Sequence, residues 1–123
     1  MSDPIVVRVA LDVPLPKLFD YRADDATRED IGARAIVPFG AKRAVGVVVD
    51  VAAGSAIEPA RLRRVERILR DEPRLPAAWL ELARFASDYY HEPIGQVVMS
   101  ALPPRLRAAK AAKNAHSLLE VGK

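Results

Sequence analysis

Apolar residues in the first two-thirds of the chain recur mostly at every second position, and in the last third at every third or fourth. In the run Ile5 to Leu11, Ile5, Val7, Val9 and Leu11 fall on one face at period two, which predicts a strand. Pro14 and Pro16 end it, each removing a backbone donor. Leu18 to Arg22 reads as a short second strand, and residues 23–32 as an acidic, turn-rich link ending at Gly32. Arg34 to Phe39 alternates again, with Pro38 at its end or at a sheet edge. Arg43 to Val51 is the strongest strand pattern, and its Gly46 predicts a bulge or a close backbone approach. Residues 52–60 read as a loop. From Leu62 to Leu69 two patterns compete: Leu62, Val65, Ile68 and Leu69 have helical spacing, whereas Val65, Arg67 and Leu69 alternate. The strand is the preferred reading.

The period then changes. Pro76 is placed like a first helical residue, and Trp79, Leu82, Ala83, Ala86, Tyr89 and Tyr90 mark one helix face. His91-Glu92-Pro93 closes that helix. Ile94, Val97, Val98, Ala101 and Leu102 predict a second, stopped by Pro103-Pro104. The expected fold is α+β: a small, twisted, mostly antiparallel and barrel-like β-sheet of about five strands, followed by two short helices. Residues 1–70 form a β-rich lobe and 71–104 a helical lobe. Residues 105–123, basic and alanine-rich, are expected to be a linker or the start of another domain.

Composition narrows the chemistry. A chain of 123 residues suits one domain or two small lobes. Cysteine is absent, which excludes a disulfide framework and thiolate metal sites. Arg8 interrupts the only early apolar run, so no signal peptide is expected. No stretch approaches the roughly 18 apolar residues of a membrane span, and a soluble, cytoplasmic protein is the expectation.

Lysine and arginine number 19 against 16 acids, a formal charge of +3, and their placement matters more than the sum. Arg61, Arg63, Arg64, Arg67 and Arg70 crowd one stretch; Arg105, Arg107, Lys110 and Lys113 crowd another. Such clusters attract polyanions, although a charge run is more often a solvated face. There is no GxxxxGK[ST] loop and no GxGxxG fingerprint. His91 and His116 lie far apart without ligand-spaced partners, and His91 is placed to ease a helix dipole. Asp24-Asp25 reads as a solvated turn. No Ser/His/Asp set can be assembled, so neither a catalytic site nor a metal or cofactor is expected in this stretch.

Two motifs remain as binding candidates. In Phe19-Asp20-Tyr21, alternation puts the rings on one strand face and the acid on the other; the plain reading is two core aromatics and an exposed carboxylate. In Val37-Pro38-Phe39-Gly40 the glycine either completes a turn or lets a ligand approach the backbone.

These residues carry a resemblance. Val13-Pro14-Leu15-Pro16, Phe19-Asp20-Tyr21, Val37-Pro38-Phe39-Gly40 with Gly46-Val47-Val48, Asp71-Glu72-Pro73, the run from Ala86 to Gly95, and Ala101-Leu102-Pro103 occur in order from residue 5 to about residue 104. The chain resembles the N-terminal DNA-binding region of the PriA (primosomal protein N′) family of replication-restart helicases. The resemblance implies that residues 1–104 are a 3′ DNA-end binding domain, capping the 3′-OH end of the nascent leading strand at stalled forks. It implies a bacterial, cytoplasmic parent in which a winged helix follows. An ATP- and magnesium-dependent motor and a zinc module would lie further on. Single-stranded DNA-binding protein and other primosome proteins are the implied partners. The family's end pocket falls on Phe19, Asp20, Gly40 and a basic residue, commonly lysine, that maps to Arg63 with Arg61 and Arg64 as neighbours. Lys17, Lys42, Arg43, Arg61 and Arg64 are candidates for the DNA backbone. The runner-up is a protein-interaction lobe whose helical face docks a partner.

Overall fold

The computed structural model describes residues 3–107. Strands β1 (Ile5–Leu11), β2 (Phe19–Arg22), β3 (Arg34–Phe39), β4 (Lys42–Ala53) and β5 (Arg67–Ile68) form one antiparallel sheet in the order β2-β1-β4-β3-β5. Helices α1 (Ala77–Tyr90) and α2 (Ile94–Met99) follow, giving the α+β architecture expected. The sheet is open, with β2 and β5 as its edges, but it curls enough for β2 to meet the segment that leads into β5. Arg22 N–H donates to the Arg63 carbonyl at 2.8 Å, and Val65 N–H donates to the Arg22 carbonyl at 2.9 Å.

Both faces of the sheet are buried, where periodicity predicted one. Val7, Val9 and Leu11 point into the concave face with Tyr21, Val37 and Val48. Ala10, Val45, Val47 and Val49 face the helices, meeting Leu80, Ala83, Val98 and Met99. An extra residue, Val49, enters β4 where the register shifts opposite Arg8 and Val9. Val48 and Val51, three residues apart, therefore pack on the same concave cluster. The bulge lies at Val49 rather than Gly46. Gly46 marks the close approach instead: a Cβ there would sit 2.3 Å from Val9 Cγ1.

The stretch 62–69 is a strand only at Arg67–Ile68, preceded by a 3₁₀ turn at Pro59–Arg61. The acidic link holds another 3₁₀ turn, Arg28–Asp30, capped by Thr27. Pro76 is the N-cap of α1 rather than its first helical residue. Of the predicted face of α1, Trp79 and Ala83 do pack on the core, whereas Leu82, Tyr89 and Tyr90 do not. Leu80 and Ala83 are buried, while Leu82, Phe85, Tyr89 and Tyr90 are 56%, 63%, 67% and 66% exposed. Apolar residues lie on two sides of this helix, and periodicity alone cannot say which side the sheet takes. On the outer side Phe85 stacks on Tyr89 at 5.8 Å, and Tyr89 meets Tyr90 edge-on at 4.9 Å. His91 caps α1 in the left-handed region at φ 56°. On α2 the buried side is Gly95, Val98 and Met99, with Leu102 beyond it, while Ala101 is exposed.

Buried Arg34 reaches the Leu106 carbonyl at 2.9 Å and Glu72, tying the segment after α2 and the approach to α1 to β3. The tail cations Lys110 and Lys113, His116, and the rest of 108–123 lie outside the described residues.

Candidate nucleic-acid interface

The two sequence motifs hold each other. Phe19 on β2 meets Phe39 at the end of β3 edge-on, ring centres 5.3 Å apart. Two residues on, the Tyr21 hydroxyl donates to the Pro38 carbonyl at 2.7 Å. Burial raises the Tyr21 pKa, the nearby Arg63 charge opposing this in part, so the phenol keeps the proton that this bond requires. Together these contacts fix the β3–β4 turn, where Gly40 adopts φ 61°. Nothing lies within 4 Å of where a Gly40 Cβ would be, so the turn opens to space. Arg63 Nη1 donates to the Gly40 carbonyl at 2.8 Å, and Lys17 Nζ sits 4.9 Å above the Phe19 ring.

Along the free edge of β2 runs a recess of about 260 Å³, walled by Phe19, Asp20 and Tyr21 on one side and Ile57, Arg61 and Arg63 on the other. The edge itself is chemically active. Backbone groups alternate in direction along an antiparallel strand. The Arg22 pair points outward to residues 63–65, so the Asp20 N–H and C=O point outward too, into the recess.

The Asp20 carboxylate is not the exposed acid that alternation suggested. It is 17% exposed and anchored: the Ser55 hydroxyl donates to Oδ2, and Arg8 Nε stands 3.7 Å from Oδ1. Arg8 also reaches Asp50 at 3.5 Å, so a row of charges crosses β2, β1 and β4. Oδ1 keeps lone pairs for a ligand.

The cations separate into two groups. Lys17 stands at one end of the recess, with Arg61 and Arg63 on its wall. Lys42 is exposed directly opposite Phe39 in the β3–β4 pair. Arg43 is engaged by Glu66 at 2.6 Å. Arg64 belongs to a different recess of about 470 Å³, where it pairs with Asp24 at 3.3 Å. Arg70 bonds Asp30 at 2.9 Å and Asp25 at 3.0 Å. Asp24 and Asp25 are thus ion-paired rather than merely solvated. Hydrogen bonds from arginine hold their carboxyls below the usual range, chiefly Arg22 for Asp24 and Arg70 for Asp25. Arg70 does the same to buried Asp30.

Four contributors escaped the sequence reading: Ser55 and Ile57, in a loop without periodicity, Arg8 as an anchor of Asp20, and Tyr21 as a fastener. A tyrosine at a position that alternation buries was a signal for the last, because a buried phenol needs an acceptor.

Among the described residues, no cluster of His, Cys, Asp and Glu could hold a metal ion, and no helix is long and apolar enough to cross a membrane. A family model described as the 3′DNA-binding domain (3′BD) matches residues 8–103. The replication restart protein PriA of Haemophilus influenzae is 36% identical over 107 residues, covering 87% of this chain and 15% of its own length. The PriA proteins of Buchnera aphidicola from Schizaphis graminum and of Treponema pallidum are 32% and 28% identical, over 84% and 82% of this chain. They are covered over 14% and 16% of their own length, so the chain spans only about a seventh of such relatives.

Proposed function

The chain belongs to the PriA 3′DNA-binding domain family, and from that premise we propose that it binds the 3′-OH terminus of a DNA strand in the recess beside β2. The observation that carries this is the meeting, in one recess, of an aromatic ring, an outward backbone donor and acceptor, an anchored carboxylate and arginines.

A terminal nucleotide must be held whatever its base. Stacking on Phe19 does this, because every base has a π face, and contributes roughly 1–3 kcal/mol. Phe39 supports that ring from its edge, and the open turn at Gly40 gives the sugar room. Asp20 Oδ1 accepts a hydrogen bond from the 3′-hydroxyl or from a base N–H, a contact of about 1.5–3 kcal/mol for a charged acceptor. A 3′-phosphate there meets like charge. Arg63 and Arg61 face the phosphate on the 5′ side of the terminal sugar. Arginine, unlike the lysine common in the family, presents a planar fork.

One stacked base and few phosphate contacts give weak, salt-sensitive binding, on the order of micromolar. In a longer polypeptide, linkage to further DNA contacts would raise it. Such a parent would be an ATP-driven restart helicase acting at forks, with its magnesium and zinc sites and its contacts to single-stranded DNA-binding protein elsewhere.

The exposed rings of α1 favour a second reading, a protein-docking lobe. Salt-dependent binding of short oligonucleotides separates the two. The direct test is Asp20→Ala titrated by fluorescence anisotropy with 3′-OH and 3′-phosphate oligonucleotides. Affinity for the 3′-OH strand should fall about tenfold (~1.4 kcal/mol), with the 3′-phosphate strand little changed. Equal loss on both would remove the selector role.

A further inference from the structure

The recess beside β2 has one closed end. Beyond Tyr21 the edge strand is bonded through Arg22 to Arg63 and Val65, which blocks a bound strand in that direction. At the opposite end Lys17 and Leu18 are shared with a larger groove of about 670 Å³ between the Pro16–Leu18 segment and the last two turns of α1. We infer that this groove is a second nucleotide subsite, taking the residues 5′ to the penultimate one once the strand has left the recess over Lys17. The inference rests on the end-binding reading and adds the path of the strand.

The groove suits a nucleotide. It exceeds the terminal recess in volume, so there is room for at least one more residue. Arg84 extends the cationic edge begun by Lys17, and it makes no ion pair among the described residues, not even with Asp88 one turn on. The same groove carries Asp88 and Glu92. Their charge opposes phosphate, while their oxygens can accept hydrogen bonds from base amino groups. The subsite therefore contributes modestly, with Arg84 holding a phosphate and Asp88 limiting the gain.

The experiment is a competition titration of unlabelled dT2 and dT4, each with a free 3′-OH, against a labelled oligonucleotide. It uses the wild-type chain, Arg84→Gln and Asp88→Asn, all exposed positions outside the terminal recess. For the wild type, dT4 should bind roughly fivefold tighter than dT2, the scale of one exposed charge contact. Arg84→Gln should abolish most of that increment and leave dT2 unchanged. Asp88→Asn should tighten dT4 alone, a gain that partial unfolding cannot mimic. Equal affinity for the two lengths, or an increment that survives Arg84→Gln, overturns the groove while leaving the terminal recess intact. If dT2 shows no preference over its 3′-phosphorylated form, the end-binding reading fails and takes this inference with it.

Discussion

The stretch from residue 61 to residue 70 supplies arginines to two recesses on either side of the Arg22–Arg64 bridge, and the two have opposite fates. In the recess at the edge of β2, Arg61 and Arg63 stand beside Phe19, and Arg63 spends one N–H on a neutral carbonyl, so its charge remains uncancelled. In the larger recess, Arg64 and Arg70 are matched by Asp24, Asp25 and Asp30. The richer recess in arginine is therefore the poorer attractor of phosphate. Charge counted along a sequence is not charge available to a ligand. What decides is whether the acidic link at 23–32 folds over the cation, and it covers only one half of the run.

The largest effect should come from unlocking the paired half. Arg70→Met leaves Asp30, whose side chain is 4% exposed, without its main partner; about 2 kcal/mol of stability should be lost, read by urea unfolding, with DNA affinity of the folded protein unchanged. The sign with pH follows from the depressed carboxyl of Asp30. Its stabilisation is complete above the ordinary carboxylate range near 3.9 and disappears as pH falls through the lowered folded value. The gap between wild type and Arg70→Met should therefore be widest at neutral pH and close in strong acid. A constant gap would mean that Arg70 acts by packing.

On the ligand-facing side, Phe19→Ala should weaken a 3′-OH dinucleotide by about 2 kcal/mol, roughly thirtyfold, if the ring is the stacking platform. Tyr21→Phe removes the bond to the Pro38 carbonyl and should lower stability by about 1 kcal/mol. It should also weaken DNA binding severalfold, because the Phe39–Gly40 turn loses its fastener; unchanged binding would show the turn to be held otherwise. The smallest and sharpest contrast is Arg63→Ala against Arg64→Ala. The first should lower affinity a few fold and reduce the salt slope by about 0.7. The second should do neither. Equal effects would dissolve the distinction between the two recesses.

Much of the fold was legible because alternation marks strands directly. β1, β2 and β3 lie where period two placed them, and the change to helical period lies near residue 76. The buried face of α1 was only partly legible: Trp79 and Ala83 lie on it where periodicity placed them, but Leu82 is as apolar as Leu80, which takes the core position instead. The bulge at Val49 was hidden in a run of three valines, Val47 to Val49, any of which could be the inserted residue. For the candidate site, the motif residues Phe19, Asp20, Gly40 and Arg63 could be named from sequence, but the anchoring of Asp20 by Ser55 and Arg8 could not. Those partners come from a loop and a neighbouring strand, 35 and 12 residues away, and only the folded sheet brings them together.

A crystal structure with a dinucleotide bearing a free 3′-OH would locate the seat of the terminal nucleotide outright. The terminal base should lie against the Phe19 ring, with the 3′-hydroxyl or a base N–H within hydrogen-bond reach of Asp20 and the phosphate facing Arg61 or Arg63. A terminal nucleotide seated instead among Arg64, Arg70 and Asp24, or on the rings of α1, would contradict the account.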